Sequence, residues 1–223
     1  MDSVAIMSAG LDSVTLLHYL VQNTCLCPAV LTFKYGQKHT KEIEYAKAQA
    51  ALLSYDEYHI IDMSPLSHLF SASALVANDI AIPDIEKLLG DSQPIAYVPN
   101  RYMIFLALAA AFAETHGLSD LYYGAQSHDM YGYGDTTPDF LERMNGVFHL
   151  NRKTPVKIHA PFVYHAKTEI LRIGLEMDVD YGMTWSCYEG EEVACGKCPT
   201  CTERLKAFEE VGVQDSLPYT RVA

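Results

Sequence analysis

The chain has 223 residues, with 16 lysines and arginines against 28 aspartates and glutamates, for a formal net charge of -12 at pH 7. That length suits one well-filled α/β core, or one with a small appendage, and the acidic balance argues against a broad surface for nucleic acid. No apolar run is long enough to span a bilayer, and the chain starts on a strand instead of a signal helix, so the expectation is a cytoplasmic protein with no membrane partner.

The first apolar run, Val4-Ala5-Ile6-Met7, meets an amphipathic stretch, Val14 to Val21, through Ser8-Ala9-Gly10-Leu11-Asp12-Ser13. Strand, tight turn and helix in that order leave the first N–H groups of the helix without partners and put the positive end of its dipole at a sheet edge. Such a junction is an anion site. Ser8 and Ser13 add hydroxyls, Gly10 admits a ligand close to the backbone, and Asp12 suits either a helix cap or a metal ion on phosphate. A string of six residues of this kind also begins helices that bind nothing. Its position after a strand favours a pyrophosphate cradle, where an open α/β sheet has its crevice. The string lacks the Gly-Lys-Ser/Thr ending of a Walker loop and the three glycines of a dinucleotide fingerprint.

Further along, Ala29 to Phe33 reads as a second strand and Tyr58 to Ile61 as a third. Between them Ile43, Ala46, Ala50 and Leu53 recur at helical spacing, with Lys41, Glu42, Glu44 and Lys47 on the opposite, polar face. The alternation implies a doubly wound, mostly parallel α/β sheet. Ser64 to Pro99 is a long connection with a short helical possibility from Ile85 to Leu89, placed where a lid over the site would lie. Tyr102 to Thr115 is apolar on nearly every face and reads as a buried helix. A fourth strand, Leu121 to Ala125, opens into the polar stretch Gln126 to Pro138, which carries His128, Asp129 and Asp135. Helices at Pro138–Phe148 and Lys167–Met177 flank an edge strand at Val156–Pro161, and a last helix runs from about Thr200 to Val211.

Four of the six cysteines, Cys187, Cys195, Cys198 and Cys201, fall within fifteen residues. Two x2 spacings offer thiolates to one tetrahedral ion, and structural zinc is the reading. An iron–sulfur cluster is the main rival, and a redox pair the weaker one. Cys25 and Cys27 suit a turn as small packing groups. The expected organisation is one domain over 1–223, with a zinc-binding subregion at 182–223.

These motifs together resemble the 7-cyano-7-deazaguanine synthases of the PP-loop, or N-type ATP pyrophosphatase, superfamily, whose fold is that of the adenine nucleotide alpha hydrolases. The resemblance rests on Ser8 to Ser13, on Leu31 to Gln37 with His39 and Glu42, on Tyr97-Val98-Pro99 with Arg101, and on Gly124, Asp129, Gly132-Tyr133 and Asp135. It continues through Lys167 to Ile170 and Thr184-Trp185-Ser186-Cys187-Tyr188, the last being the most specific when followed by Cys-Gly-x-Cys-x-x-Cys. It implies a ligase acting on 7-carboxy-7-deazaguanine and ammonia with ATP and Mg2+, a homodimer, and an adenylated acid and an amide as intermediates.

On this resemblance Ser8, Ala9, Gly10, Leu11, Asp12 and Ser13 hold the nucleotide, with Phe33, Tyr35 and Gln37 near adenine or ribose, although Phe33 and Leu31 also read as core. Lys167, Arg101 and Asp129 are the catalytic candidates; Arg101, Asp129 and Asp135 are candidates for the acid. His39, His128 and His165 read as satisfied polar residues. The sequence departs from the family's usual pattern at Ala9, at Asn100-Arg101-Tyr102 and at Gly134-Asp135-Thr136. A φ above zero at Ala9 would cost on the order of 1 kcal/mol. The rival outcomes are a variant that stops at the amide or passes the acid to another amine, a PP-loop tRNA thiolase, and a zinc-bearing interaction module.

Overall fold

The structure is a computed structural model that describes residues 1–53, 57–82, 93–126, 133–151, 153–190 and 192–220. The helical stretch expected at Ile85 to Leu89 lies outside the described residues, as do His128, Asp129 and Gly132.

Five strands, β1 (Ser3–Ile6), β2 (Pro28–Lys34), β3 (Tyr58–Asp62), β4 (Asp120–Tyr122) and β5 (Lys157–His159), form one sheet in the order β3-β2-β1-β4-β5. Every pairing is parallel, and β1 lies at the centre, with Val4 opposite Ala29 on one side and Leu121 on the other. The chain builds outward from β1 to β3 and then restarts at β4 on the far side of β1. An open sheet has its ligand crevice at the carboxyl end of such a reversal.

Strand alternation sorts the core into two layers. Val4, Ile6, Leu31, Phe33 and Leu121 pack beneath α3 (Arg101–Thr115) and α4 (Pro138–Phe148), while Ala5, Met7 and Val30 pack beneath the other helices. These are α1 (Leu11–Thr24), α2 (Lys41–Leu52), α5 (Lys167–Glu176) and α6 (Pro199–Val211). The doubly wound reading from sequence is therefore the observed architecture.

The differences have local causes. The fourth strand stops at Tyr122, because the chain beyond it leaves the ladder to run along the crevice: a Cβ at Gly124 would come within 3.2 Å of the Ser13 N and Cα atoms. α3 is not buried all round. It packs on one sheet face through Phe105, Leu106, Ala109, Ala110 and Ala113, which leaves Met103 and Leu108 46% and 38% exposed. Glu42, expected on the polar outer face of α2, instead lines a cavity at the carboxyl edge of the sheet.

The segment after α5 is pinned by Arg204, which is fully buried on α6. It donates to Asp215 through Nε at 2.6 Å and Nη2 at 2.9 Å, to Thr184 Oγ1 at 2.6 Å and to the Tyr181 carbonyl at 2.8 Å. A buried charge is tolerated when it is paired and its donors are satisfied. Thr184 in turn opens the segment that contains the cysteines.

Candidate active site and metal centre

The loop from Ser8 to Ser13 is held by its own side chains. The Ser8 N–H donates to Ser13 Oγ at 3.2 Å, and that hydroxyl donates to the Gly10 carbonyl at 3.2 Å. Gly10 caps α1 without any side-chain hydrogen bond to the first turn, so its leading N–H groups face the crevice for an external acceptor. Asp12 does not cap the helix. Its Oδ2 accepts from Lys167 Nζ at 3.2 Å, while its Oδ1 is buried without a partner. Lys167, at the start of α5, also lies 3.6 Å from Glu203 Oε2 on α6. Two carboxylates and one ammonium thus converge on the positive end of α1.

This cradle forms one wall of a cavity of about 220 Å³. The opposite wall comes from the ends of β2 and β4 and the starts of α2 and α3. At its centre, burial opposes the charge on Arg101, but Tyr35, Tyr102, Tyr188 and Asp135 around it outweigh that penalty and raise its pKa. Burial pushes the Tyr35 phenol up to about 12, against the pull of the Arg101 charge. Burial also raises Asp135, although Arg101 opposes the shift; the Asp135 carboxylate accepts from the Tyr102 N–H at 3.5 Å. Glu42 is lifted to about 7, chiefly by burial and despite the bond from Gln37 Nε2 at 2.8 Å. A fixed cation faced by phenols and reluctant carboxylates is a desolvated site for a planar anion.

The four cysteine sulfurs all lie within 4.8 Å of one another. Sulfurs around one tetrahedral ion with bonds of about 2.3 Å are about 3.8 Å apart, so the set fits a single zinc-sized ion. A four-iron cluster holds its thiolates farther apart. The neighbouring Cys198 and Cys201 hold the Cys187 thiol well below its usual range, and N–H groups of Gly190 and Cys195 donate to its sulfur at 3.0 and 3.2 Å. The cluster is also part of the cavity wall, through Cys187, Pro199 and Thr200. From the same segment, the Trp185 N–H donates to the Ala9 carbonyl at 2.8 Å. A backbone bond therefore ties the segment that bears the cysteines to the cradle.

Residues 2–212 match the family described as "Queuosine biosynthesis protein QueC". The chain belongs to this family. Among its curated relatives, the 7-cyano-7-deazaguanine synthase of Pseudoalteromonas atlantica is 42% identical over 216 residues, covering 97% of each chain. That of Caldicellulosiruptor bescii is 42% identical over 220 residues, covering 98% of this chain and 97% of its own. Solved structures share only the fold. NMN synthetase from Francisella tularensis superposes with a TM-score of 0.52 at 14% identity, over 96% of this chain and 78% of that one. The U34-tRNA thiolase NcsA from Methanococcus maripaludis, solved with an iron–sulfur cluster, gives 0.51 at 15% identity, over 95% and 64%.

Of the site residues read from the queuosine-family motifs, Ser8, Gly10, Leu11, Asp12, Ser13, Phe33, Tyr35, Gln37, Arg101, Asp135 and Lys167 line the one cavity. Ala9 does not. Its φ is 58°, the strained value, but its methyl is wholly buried in the core beneath α1, so it does not occupy the phosphate position. Asn100, where the family usually has glycine, has φ 53°, which asparagine tolerates best among residues with a Cβ. Gln37 uses its amide on the backbone, accepting from the Tyr35 N–H at 2.8 Å and donating to the Phe33 carbonyl at 3.2 Å. Phe33 stacks on Phe105 at 4.1 Å, which serves the core as much as the cavity. Sequence reasoning assigned no role to Glu42, Gln126, Tyr102, Tyr188 or Glu203. The resemblance had flagged Glu42 and Tyr188; nothing local marks Glu203 or Gln126.

Proposed function

We propose that this chain is an ATP-dependent carbon–nitrogen ligase that converts 7-carboxy-7-deazaguanine and ammonia to 7-cyano-7-deazaguanine. The observation that carries the reading is the single cavity with a phosphate cradle on one wall and a buried arginine among aromatic rings on the other. A carboxylate is a poor electrophile, so its oxygen first attacks the α-phosphorus of ATP and pyrophosphate leaves towards the N–H groups of α1, with Lys167 neutralising its charge. Asp12 and Glu203 are the carboxylates that would hold Mg2+, which screens the phosphates when bound. Ammonia then forms the C–N bond as the bond to AMP breaks, with loss of a proton. The amide oxygen then attacks the α-phosphorus of a second ATP, with loss of pyrophosphate and one N–H proton, and departure of AMP with loss of the remaining N–H proton leaves the nitrile. No side chain need act as nucleophile; positioning and charge stabilisation suffice.

Arg101 is assigned to the acid, with Asp135 beside it and Asp129 as a further candidate for the guanine-like edge, and Tyr35 and Phe33 bound the adenine side. Zinc is the proposed ion at Cys187, Cys195, Cys198 and Cys201; the short spread of the sulfurs favours it over a cluster. The ion supplies folding energy. The chain is proposed to act as one cytoplasmic domain with a metal-bound segment at 182–223, and as a homodimer, for which the exposed Met103 and Leu108 on α3 offer an apolar surface. No described helix is long and apolar enough to cross a membrane. The test is exchange of labelled pyrophosphate into ATP. It should require 7-carboxy-7-deazaguanine and proceed without ammonium; exchange independent of the acid would overturn the reading.

A further inference from the structure

Among the described residues that line the cavity, Gln126 carries the buried polar group that the reading above leaves unused. It lies four residues beyond β4 and is 8% exposed, and its Oε1 has no hydrogen-bond partner although the residue lines the cavity. A buried acceptor without a donor is a cost to the fold, so one held in a cavity wall marks a place where a ligand brings the donor. From Tyr122 to Ala125 successive residues alternate between the two faces of the sheet, as they do in a strand. Tyr123 and Ala125 point into the core beneath α3, whereas Gly124 points at the first turn of α1, within 3.2 Å of Ser13 N. Gln126 shares the face of Gly124. Its amide therefore stands beside the cradle, on the β4 side of the sheet reversal.

The reactants bring several donors, and position chooses among them. The adenylated carbonyl carbon has to sit next to the α-phosphate over the cradle, and an attacking nitrogen has to come within about 3–3.5 Å of that carbon. The amino group and N–H of the heterocycle's six-membered ring lie away from the carboxyl group, and the N–H of its five-membered ring points outward two ring atoms from the carbon that bears the carboxyl. A neutral amide oxygen beside the reacting carbon suits a small N–H donor. We propose that Gln126 forms the ammonia subsite, its Oε1 accepting from the incoming nitrogen and aiming the lone pair at the acyl carbon. This rests on the ligase reading and adds the residue that receives its second substrate.

The experiment measures KM for ammonium, for the acid and for ATP in the full-length metal-loaded protein and in two variants, with ligand-free thermal unfolding alongside. Gln126→Leu removes an unsatisfied acceptor, so its unfolding midpoint should equal or exceed that of the parent, while its KM for ammonium rises at least tenfold and the other two change less than threefold. Gln126→Glu keeps an acceptor oxygen in place and should hold the ammonium KM within threefold of the parent. An unchanged ammonium KM in Gln126→Leu overturns the proposal, as does a rise confined to the acid, which would make Gln126 a reader of the heterocycle. If the parent itself forms neither amide nor nitrile, the ligase reading fails first and the subsite falls with it.

Discussion

The two walls of the cavity are built in opposite ways. The cradle wall is six consecutive residues whose working groups are mostly backbone N–H, fixed by the strand-to-helix turn at Ser8 to Ser13. The facing wall gathers Tyr35, Glu42, Arg101, Asp135 and Tyr188 from five separate stretches, and its working groups are side chains whose charges are shifted by burial and by one another. A backbone site survives a change of side chain so long as the turn survives. A side-chain site does not, because each group sets the ionisation of its neighbours. The cysteine-bearing segment touches both walls, through the Trp185 N–H on the Ala9 carbonyl and through Tyr188 beside Arg101.

The largest effect should therefore come from the metal. Chelating it should abolish acid-dependent pyrophosphate exchange and shift the emission of Trp185, the sole tryptophan, whose indole N–H donates to the Cys187 carbonyl at 3.1 Å. The far-ultraviolet circular dichroism of the α/β core should largely persist. Exchange that survives chelation, with a shifted emission, would separate the metal from both walls.

Lys167→Met comes next. It removes the cation at the cradle and should slow exchange about 100- to 1,000-fold, the usual loss on removing one charge-stabilising donor. Its effect should fall on the rate and on KM for ATP, with KM for the acid nearly unmoved.

The side-chain wall should respond to pH instead. Glu42 ionises near 4.5 in an unfolded chain and about 7 in the folded one, so the folded state holds a proton that the unfolded state releases first. Stability should be full below pH 4.5 and fall as the pH rises to about 7, by about 2–3 kcal/mol for this half-buried side chain. Glu42→Gln should flatten that slope in denaturant titrations, leaving a variant more stable than the parent at pH 8 and equal to it near pH 4. A slope that persists in the variant would place the titration elsewhere.

The smallest change tests the backbone wall. At Ala9 the left-handed backbone costs on the order of 1 kcal/mol, while the buried methyl contributes about 0.8 kcal/mol and limits the unfolded chain. These nearly offset. Ala9→Gly should alter stability by less than about 1 kcal/mol and leave the product unchanged, whereas a change of product would mean that the methyl shapes the cradle.

The same contrast separates what the sequence displays from what only folding brings together. Contiguous features were legible: the turn at Ser8 to Ser13, the spacing of Cys195, Cys198 and Cys201, and the order of strands and helices that fixes the sheet reversal. Arg101 and Lys167 were found because family motifs carried them. Glu203 and Gln126 have no such mark; what brings them to the site is the packing of α6 on α5 and the extended chain after β4. Glu42 was misread because its neighbours Lys41 and Glu44 are polar, although one turn of α2 faces the cavity and not the solvent. α3 was read as buried all round because its run of alanines hides the period that separates Ala109 from the exposed Leu108.

The most direct measurement is the mass of the product formed from 7-carboxy-7-deazaguanine, ATP, Mg2+ and ammonium by the metal-loaded protein. The expected product is the nitrile, with two ATP consumed for each molecule formed and the amide appearing only transiently. Amide that accumulates without nitrile, or acid returned unchanged while ATP is intact, would contradict it.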